Sequence, residues 1–275
     1  MIYDCFTYFN EDLLLELRLN CLDEIVDKFI IIEANQTFSG NPKEQNFDIN
    51  KFKKFEDKII YVFLEEFPET DNPWIRENHQ RNYIHEVLKQ EKAKDEDIII
   101  LSDLDEIPNV EAVKKYIEKP DGVGFFRQVF YNYYINLHSI NEPNWIKGKI
   151  FQYKEFSKPI EDDPVGYGLV ALPKKFNKGN TASRIRLEHF DKILVNGGWH
   201  FSWLGGAEKI KYKLESFAHQ EWNNEEINNI EHIRDCLKNQ KWFASEDYSY
   251  EKVEIDNTYP KYLLDNIDKF KAHIL

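Results

Sequence analysis

The stretch that decides the reading of this chain is DEDIIILSDLDEIPN, residues 95–109. Four apolar residues, 98–101, run straight into Asp103, Asp105 and Glu106, with Pro108 behind them. A short continuous apolar run is the pattern of a strand buried on both faces of a parallel sheet. Residues two apart in a strand share a face. Asp103 and Asp105 are therefore expected side by side at the rim of a sheet, where two carboxylates repel unless a positive charge lies between them. A divalent cation with oxygen ligands supplies that charge. The competing reading is a solvated acidic turn, because the chain holds 49 Asp and Glu. The buried strand in front of the acids favours a site.

Working outward, residues 3–9 read as a first strand and residues 11–22 as a helix with Asn10 as its N-cap. KFIIIEAN, residues 28–35, is a buried strand that ends near Glu33, and residues 58–64 form another. PWIRENHQRNYIHEVLKQ, residues 73–90, opens on a proline and continues as an amphipathic helix. Residues 108–117 are expected to be the helix after the acidic motif. The order β, α, β, β, α, β, α over residues 1–120 predicts an α/β sheet wound with helices. Such sheets bind ligands beyond the carboxyl ends of their strands, and Glu33, Asp103 and Asp105 fall at such ends. Residues 121–275 read differently. Long strands come first, then a Pro/Gly/Lys-rich stretch at 155–185. A glycine-flanked strand follows at 192–206, then helices at 207–222 and 224–239 and a final helical tail. With no linker in sight, one domain over 1–275 is expected.

The bulk numbers exclude several classes. The chain has 275 residues, 42% hydrophobic and 31% charged, enough for a sizeable core. A net charge of -13 repels phosphate backbones and anionic lipid, which argues against nucleic acid as a partner. A phosphorylated ligand would need local cations or a bound metal. Cys5, Cys21 and Cys236 are odd in number and show no C-x-x-C spacing, against a disulfide framework or a zinc site. A reducing, cytoplasmic setting is expected. The N-terminus lacks a signal-peptide pattern, and no run approaches the ~20 apolar residues of a membrane span. Aromatics reach 15%, which serves either a large core or the stacking of flat ligands.

A second constellation is NGGWHFSWLGG, residues 196–206. Gly197 and Gly198 let backbone approach a ligand closely. Trp199 and Trp203 are expected on one face, with His200 and Ser202 on the other. His200 can offer an imidazole to a metal and a tryptophan can stack on a sugar; the competing reading is two core tryptophans and a core histidine. A haloacid-dehalogenase-type phosphatase also uses an apolar run before D-x-D, but has Thr or Val where this chain has Ile107. A calcium loop requires a glycine that is missing here. A nucleotide-sugar glycosyltransferase fits the placement of the motif better.

Several segments in order resemble glycosyltransferase family 17, the family of the bisecting β-1,4-mannosyl-glycoprotein β-1,4-N-acetylglucosaminyltransferase. They are FNEDLLLELRLNCLDEIVDKFIIIEANQTFSGNPK (9–43), PWIRENHQR (73–81), LSDLDEIP (101–108), GGWHFSW (197–203), KLESFAHQEW (213–222) and YPKYLLDNIDKF (259–270). The resemblance implies a GT-A-like α/β fold, with a Rossmann-like nucleotide-sugar-binding half over 1–120 fused to an acceptor-binding half over 121–275. It implies a UDP-sugar donor carrying N-acetylglucosamine, a glycan acceptor, inversion at the anomeric carbon, and a divalent metal, Mn²⁺ with Mg²⁺ as the alternative. Animal members carry an N-terminal membrane anchor. None is seen here, so a soluble cytoplasmic enzyme of bacterial or viral type is expected.

On this reading Asp105 ligates the metal, Asp103 reaches the metal or the ribose, and His200 is the ligand from the second half. Glu33 binds base or ribose. Arg81 pairs with Glu106 or an aspartate, or reaches phosphate. Arg186 and Lys213 are further phosphate candidates, weighed against solvated surface charges. Glu188, Asp191 and Asp163 are candidates for the general base. Trp145, Tyr167, Trp199 and Trp203 are candidates for acceptor stacking. The rivals are a metal-dependent phosphatase or nucleotidyltransferase on the same D-x-D, and a binding protein without turnover. The oligomeric state stays open.

Overall fold

The apolar runs become the middle of one mixed sheet. In the computed structural model, which describes residues 1–157, 181–188 and 191–275, four strands pair in parallel. They are β1 (Ile2–Thr7), β2 (Lys28–Ala34), β3 (Ile59–Leu64) and β4 (Ile98–Leu101), in the order β4-β1-β2-β3. Helix α1 (Asp12–Leu22) connects β1 to β2, and α2 (Pro73–Gln90) lies between β3 and β4. The period-2 alternation splits β2 between two cores. Phe29 and Ile31 pack with the α1 leucines, whereas Ile30 and Ile32 pack with Ile84, Val87 and Leu88 of α2. Such a strand must be apolar at every position, which is why it reads as an unbroken run.

The chain leaves β1 toward β2 on one side and reaches β4 on the other. That reversal of strand order makes a crevice beyond the carboxyl ends of β1 and β4. Into it projects the acidic motif. Strand β4 stops at Leu101, and a turn follows in which Glu106 N–H donates to the Asp103 carbonyl at 3.1 Å. Strand β5 (Glu106–Pro108) comes next, then α3 (Val110–Glu118), whose first turn is capped by the Asn109 side chain on Glu111 N–H. Pro108 thus closes a strand instead of opening a helix. At α1 the residue before the helix is Glu11, without a side-chain cap, so the expected Asn10 cap does not form.

The rest of the sheet comprises β6 (Gly124–Asn132), β7 (Leu137–Ser139), β8 (Asn144–Trp145), β9 (Lys149–Gln152), β10 (Lys192–Ser202) and β11 (Tyr250–Lys252). Strand β9 lies antiparallel between β4 and β6, so one sheet spans both stretches of chain. Helix α4 (Ala182–Glu188) precedes β10 (Lys192–Ser202), which runs parallel to β6 and antiparallel to β5. Helices α5 (Gly206–Ser216) and α6 (Ile230–Asn239) are shorter than the sequence pattern predicts. After β11 (Tyr250–Lys252) the tail breaks into α7 (Lys261–Asp265) and α8 (Ile267–Phe270). Among the described residues no helix is long and apolar enough to cross a membrane.

The acidic turn is held from below by Arg18 of α1, which is fully buried. Its guanidinium takes Asp4 of β1 in a two-pronged pair, Nε to Oδ2 at 2.7 Å and Nη2 to Oδ1 at 2.6 Å. Its remaining hydrogens go to the turn: Nη1 donates to the carbonyls of Asp103, Leu104 and Glu106, and Nη2 to Ser102 Oγ. One planar fork thus neutralises a buried acid and ties down three carbonyls of the turn. Removing one partner of a buried, hydrogen-bonded pair costs about 3–5 kcal/mol. Arg18→Met is therefore expected to lower the urea midpoint by the equivalent of that loss. Arg18→Lys, lacking the fork, is expected to recover only part of it; full recovery would show that charge alone holds the turn.

Candidate functional site

The crevice contains a cavity of ≈ 240 Å³. Its walls come from the end of β1 (Thr7, Tyr8, Phe9), the loop after β2 (Gln36, Thr37, Phe38), and the first turns of α2 (Trp74, Glu77, Gln80, Arg81). The Asp103–Asp105 turn and the end of α5 complete it, with Lys213 and residues 216–219. A smaller recess of ≈ 50 Å³ adjoins it and shares Phe9, Glu11, Asp105 and Lys213.

The two motif aspartates do not point the same way. Because β4 ends before them, the strand alternation expected for residues 103 and 105 does not apply. Asp103 turns to the arginines: Oδ1 accepts from Arg81 at 3.0 Å and Oδ2 from Arg186 at 2.6 Å. Desolvation works against its charge, but the Arg186 and Arg81 guanidiniums outweigh it and hold the carboxyl below its ordinary range. Asp105 turns to the other side. Its Oδ1 lies 3.5 Å from His200 Nε2 and its Oδ2 lies 3.6 Å from Lys213 Nζ. Burial again opposes the charge, and here His200 and Lys213 overcome it, so this carboxyl also sits below the usual range.

Arg186 is no surface charge. It reaches from α4 into the turn and forks onto Glu106, Nη1 to Oε2 at 2.7 Å and Nη2 to Oε1 at 2.6 Å, while holding Asp103. Arg81 is tied to Glu77 one helical turn earlier at 2.8 Å as well as to Asp103. Glu106 is fully buried and also accepts from the Trp145 indole and the Asp103 backbone N–H. Arg81, Arg186, Asp103 and Glu106 therefore form a closed ion-pair cluster in which Asp103 has both oxygens engaged.

That cluster decides how a divalent cation fits. Among the described residues no group of three His, Cys, Asp or Glu is arranged to hold one. Asp103, expected as a ligand, faces two arginines instead. Asp105 and His200 do suit a cation: an oxygen and a nitrogen 3.5 Å apart can share one ion, with ligand oxygens and water taking its other positions.

Other expected positions lie elsewhere. Glu33 is fully buried and serves the fold: it pairs with Lys43 and accepts from Asn46 N–H at 2.7 Å, Phe47 N–H at 3.0 Å and the Tyr61 hydroxyl at 2.8 Å. That leaves it no lone pair aimed at the cavity, although Lys43, which it positions, lines the wall. Asp191 sits just before β10, at the opposite end of that strand from His200. There its carboxylate accepts Val123 N–H at 2.6 Å, so it does not approach the cavity. Asp163 and Tyr167 lie outside the described residues; Glu188 ends α4 and its side chain lies outside them too.

The tryptophans are packing groups in this state. Trp199 is 9% exposed and donates to the Thr258 carbonyl at 3.0 Å. Trp203 is 8% exposed within an aromatic cluster, with Lys213 over its ring at 4.9 Å. Trp145 lies on His200, ring centroids 4.5 Å apart. The glycines before Trp199 admit backbone, not a ligand. A Cβ on Gly198, whose φ is +128°, would lie 2.1 Å from the Ile107 carbonyl oxygen of β5. Sequence reasoning passed over Trp74, which is 38% exposed at the cavity rim with His219 edge-on at 4.5 Å. It also passed over Glu11 and Glu77, the other carboxylates of the cavity wall. Trp74 stands inside the quoted PWIRENHQR segment, but nothing in its spacing separates a rim aromatic from a core one.

Both motif aspartates have carboxyls lowered by folding, so each adds stability above the unfolded value of ~3.9 and loses it as the pH falls through the folded value. Acid unfolding curves followed by circular dichroism are expected to show a descending limb below about pH 4 that flattens in Asp105→Asn.

The comparisons with known proteins agree with this architecture. The profile of Glycosyltransferase family 17 matches residues 1–158. The beta-1,4-mannosyl-glycoprotein 4-beta-N-acetylglucosaminyltransferases of Rattus norvegicus and Homo sapiens are each 25% identical to it over 288 and 287 residues, 94% of this chain. Those alignments take in 51% and 52% of the two enzymes, so the chain spans about half the length of the curated relatives it matches. With its matched segment carrying β1 to β4, Arg18 and the whole acidic turn, the chain belongs to glycosyltransferase family 17.

Proposed function

We propose that the chain is an inverting, metal-dependent glycosyltransferase of GT-A type that transfers N-acetylglucosamine from a UDP donor to a hydroxyl of a glycan acceptor. The observation that carries this reading is the cavity at the β1/β4 reversal, with Asp105, His200 and Lys213 gathered at its acidic turn and aromatic rings on its far wall. Sheets of this order receive nucleotides at that place. Family membership and the activity for which the relatives are named supply the reaction class.

In this mechanism the nucleobase lies against the aromatic side of the cavity, where Phe9, Phe38 and Trp74 offer flat surface. Asp105 and His200 hold the divalent cation, Mn²⁺ or Mg²⁺, which when bound supplies positive charge to the diphosphate leaving group. Lys213, 31% exposed and 3.6 Å from Asp105, is placed to add a direct cationic contact to the same phosphates. Asp103 keeps Arg81 and Arg186 in place and so fixes the turn that carries Asp105. Lys213 and a bound cation would offset locally the acidity of a chain with net charge -13, which otherwise repels a diphosphate.

Thermal-shift measurements with a panel of nucleotide sugars test this. UDP-N-acetylglucosamine is expected to raise the melting temperature only with Mn²⁺ present; at a hundredfold excess over Kd the stabilisation is about 2.7 kcal/mol. A shift that ignores metal, or that appears with no UDP sugar, would overturn the reading.

The two aspartates are expected to separate by calorimetry. Asp105→Asn should abolish Mn²⁺-dependent UDP binding and lose the stability that its ionised carboxylate adds above the unfolded value of ~3.9. Asp103→Asn should cost about 1–2 kcal/mol of stability, moderated by its partial exposure, and weaken binding without removing its metal dependence. The reverse pattern would assign the cation to Asp103.

A further inference from the structure

Four residues line both the main cavity and the smaller recess: Phe9, Glu11, Asp105 and Lys213. Asp105 and Lys213 are the groups placed at the diphosphate. The anomeric carbon of a nucleotide sugar is bonded directly to a phosphate oxygen, so the reacting bond belongs at the same junction. An acceptor hydroxyl attacking there comes within roughly 3–3.5 Å of that carbon, and the group that takes its proton lies within about 3 Å of the hydroxyl. On the recess side Tyr212, 42% exposed, stacks on Phe9 at 5.4 Å and leaves an open ring for an acceptor sugar.

Four carboxylates line the cavity, and three are committed. Asp103 has both oxygens on arginines, Glu77 is paired with Arg81 at 2.8 Å, and Asp105 faces His200 and Lys213. The fourth is Glu11. Its Oε2 accepts the N–H groups of Asn10 at 2.9 Å and Phe9 at 3.2 Å, and its Oε1 has no hydrogen bond or ion pair among the described residues. The histidines fit the role less well. His200 is held on Asp105 by the Phe130 and Trp145 rings at 4.9 and 4.5 Å, His219 stands beside Trp74 at the nucleobase end, and His273 lines the recess alone. Position 11 is also unusual for its place in the chain. It precedes the first turn of α1, where Asn, Asp, Ser or Thr is preferred as a cap. Glu11 makes no cap and turns back on the preceding backbone instead. A local preference set aside beside a cavity is expected at a functional site.

We infer that Glu11 is the general base of the transfer: its carboxylate takes the proton of the acceptor hydroxyl as that oxygen bonds to the anomeric carbon. The bond from this carbon to the phosphate oxygen breaks in the same step, its electron pair leaves with the diphosphate, and the proton passes from Glu11 to solvent afterwards. The two backbone N–H groups hold the carboxylate in place through neutral donors, which leaves its charge for the proton. The inference rests on the inverting transfer proposed above.

The test measures donor binding and turnover separately in the full chain, with Mn²⁺, UDP-N-acetylglucosamine and water as the acceptor. Calorimetry gives the donor affinity, and UDP release gives the rate. Glu11→Gln keeps an oxygen for the Phe9 and Asn10 N–H groups but cannot take the proton. It is expected to leave donor affinity at the wild-type value and to lower UDP release about 100-fold or more, the usual contribution of a positioned base. In Glu11→Ala, azide, a nucleophile with no proton to lose, is expected to restore UDP release, which it does not do for a residue that only supports the fold. Undiminished UDP release by Glu11→Gln overturns the inference. So does a loss of donor affinity that accounts for the whole effect, which makes Glu11 a donor contact, and so does a rate loss in His273→Gln with Glu11→Gln unaffected. A wild type that binds the donor yet releases no UDP also counts against it, because a base at the junction activates any hydroxyl that enters. A wild type that does not bind the donor overturns the proposed function, and the inference with it. Should Glu11→Ala fail to fold by circular dichroism, Glu11→Gln and His273→Gln decide.

Discussion

The structure depends first on Arg18 and Asp4. A helix and a strand whose other buried positions are hydrophobic each give up one to a charge, and the pair they make is the platform of the acidic turn. Burying two ions is costly unless geometry and extra hydrogen bonds compensate. Here the compensation comes from hydrogen bonds to the carbonyls of residues 103, 104 and 106. The same contacts that make Arg18 tolerable in the core make the turn rigid. The carboxylate proposed to hold a cation would gain from such a base, because its orientation is settled before any ligand arrives.

Above that platform the charges divide into two populations. Arg81, Arg186, Asp103 and Glu106 neutralise one another and leave little for a ligand. Asp105, His200 and Lys213 make longer contacts, 3.5 and 3.6 Å, and keep capacity for one. In a low-dielectric cleft, adjacent acids that took the same role would repel. Sending them in opposite directions lets one serve the scaffold and the other the chemistry. The aromatic clamp on His200 belongs to the second population, since it aims the imidazole without adding charge.

Much of the fold was legible because its signals are local. Unbroken apolar runs became the buried strands, Pro73 opened α2, and the alternation of elements foretold a wound sheet with a crevice at strand ends. What failed depends on distance. The pleat argument for Asp103 and Asp105 assumed a strand that in fact stops at Leu101. Arg18 and Asp4 stand 14 residues apart and look like ordinary polar interruptions until a crossover brings them together. Arg186 read as a surface charge because nothing around it in sequence names Glu106 as its partner. Glu33 sits at the right end of the right strand, yet its lone pairs are consumed by the loop that follows and by Tyr61 of β3. The paired glycines and tryptophans of residues 197–203 suggested ligand contact, whereas most of their contacts are with neighbouring strands. Sequence locates a strand end well; it does not say which way the side chain there will turn.

Gly198 carries a consequence for how this protein can change. Its missing side chain lets β5 lie against β10, and that apposition sets Glu106 opposite His200. Any residue larger than hydrogen at 198 would shove the first strand away and unseat both groups together. The position is therefore frozen by crowding of main chain alone. Tolerance to substitution there reports on strand spacing and carries no information about which sugar or acceptor is handled. Selection for a new substrate has to work through the cavity walls, since this joint offers it no freedom.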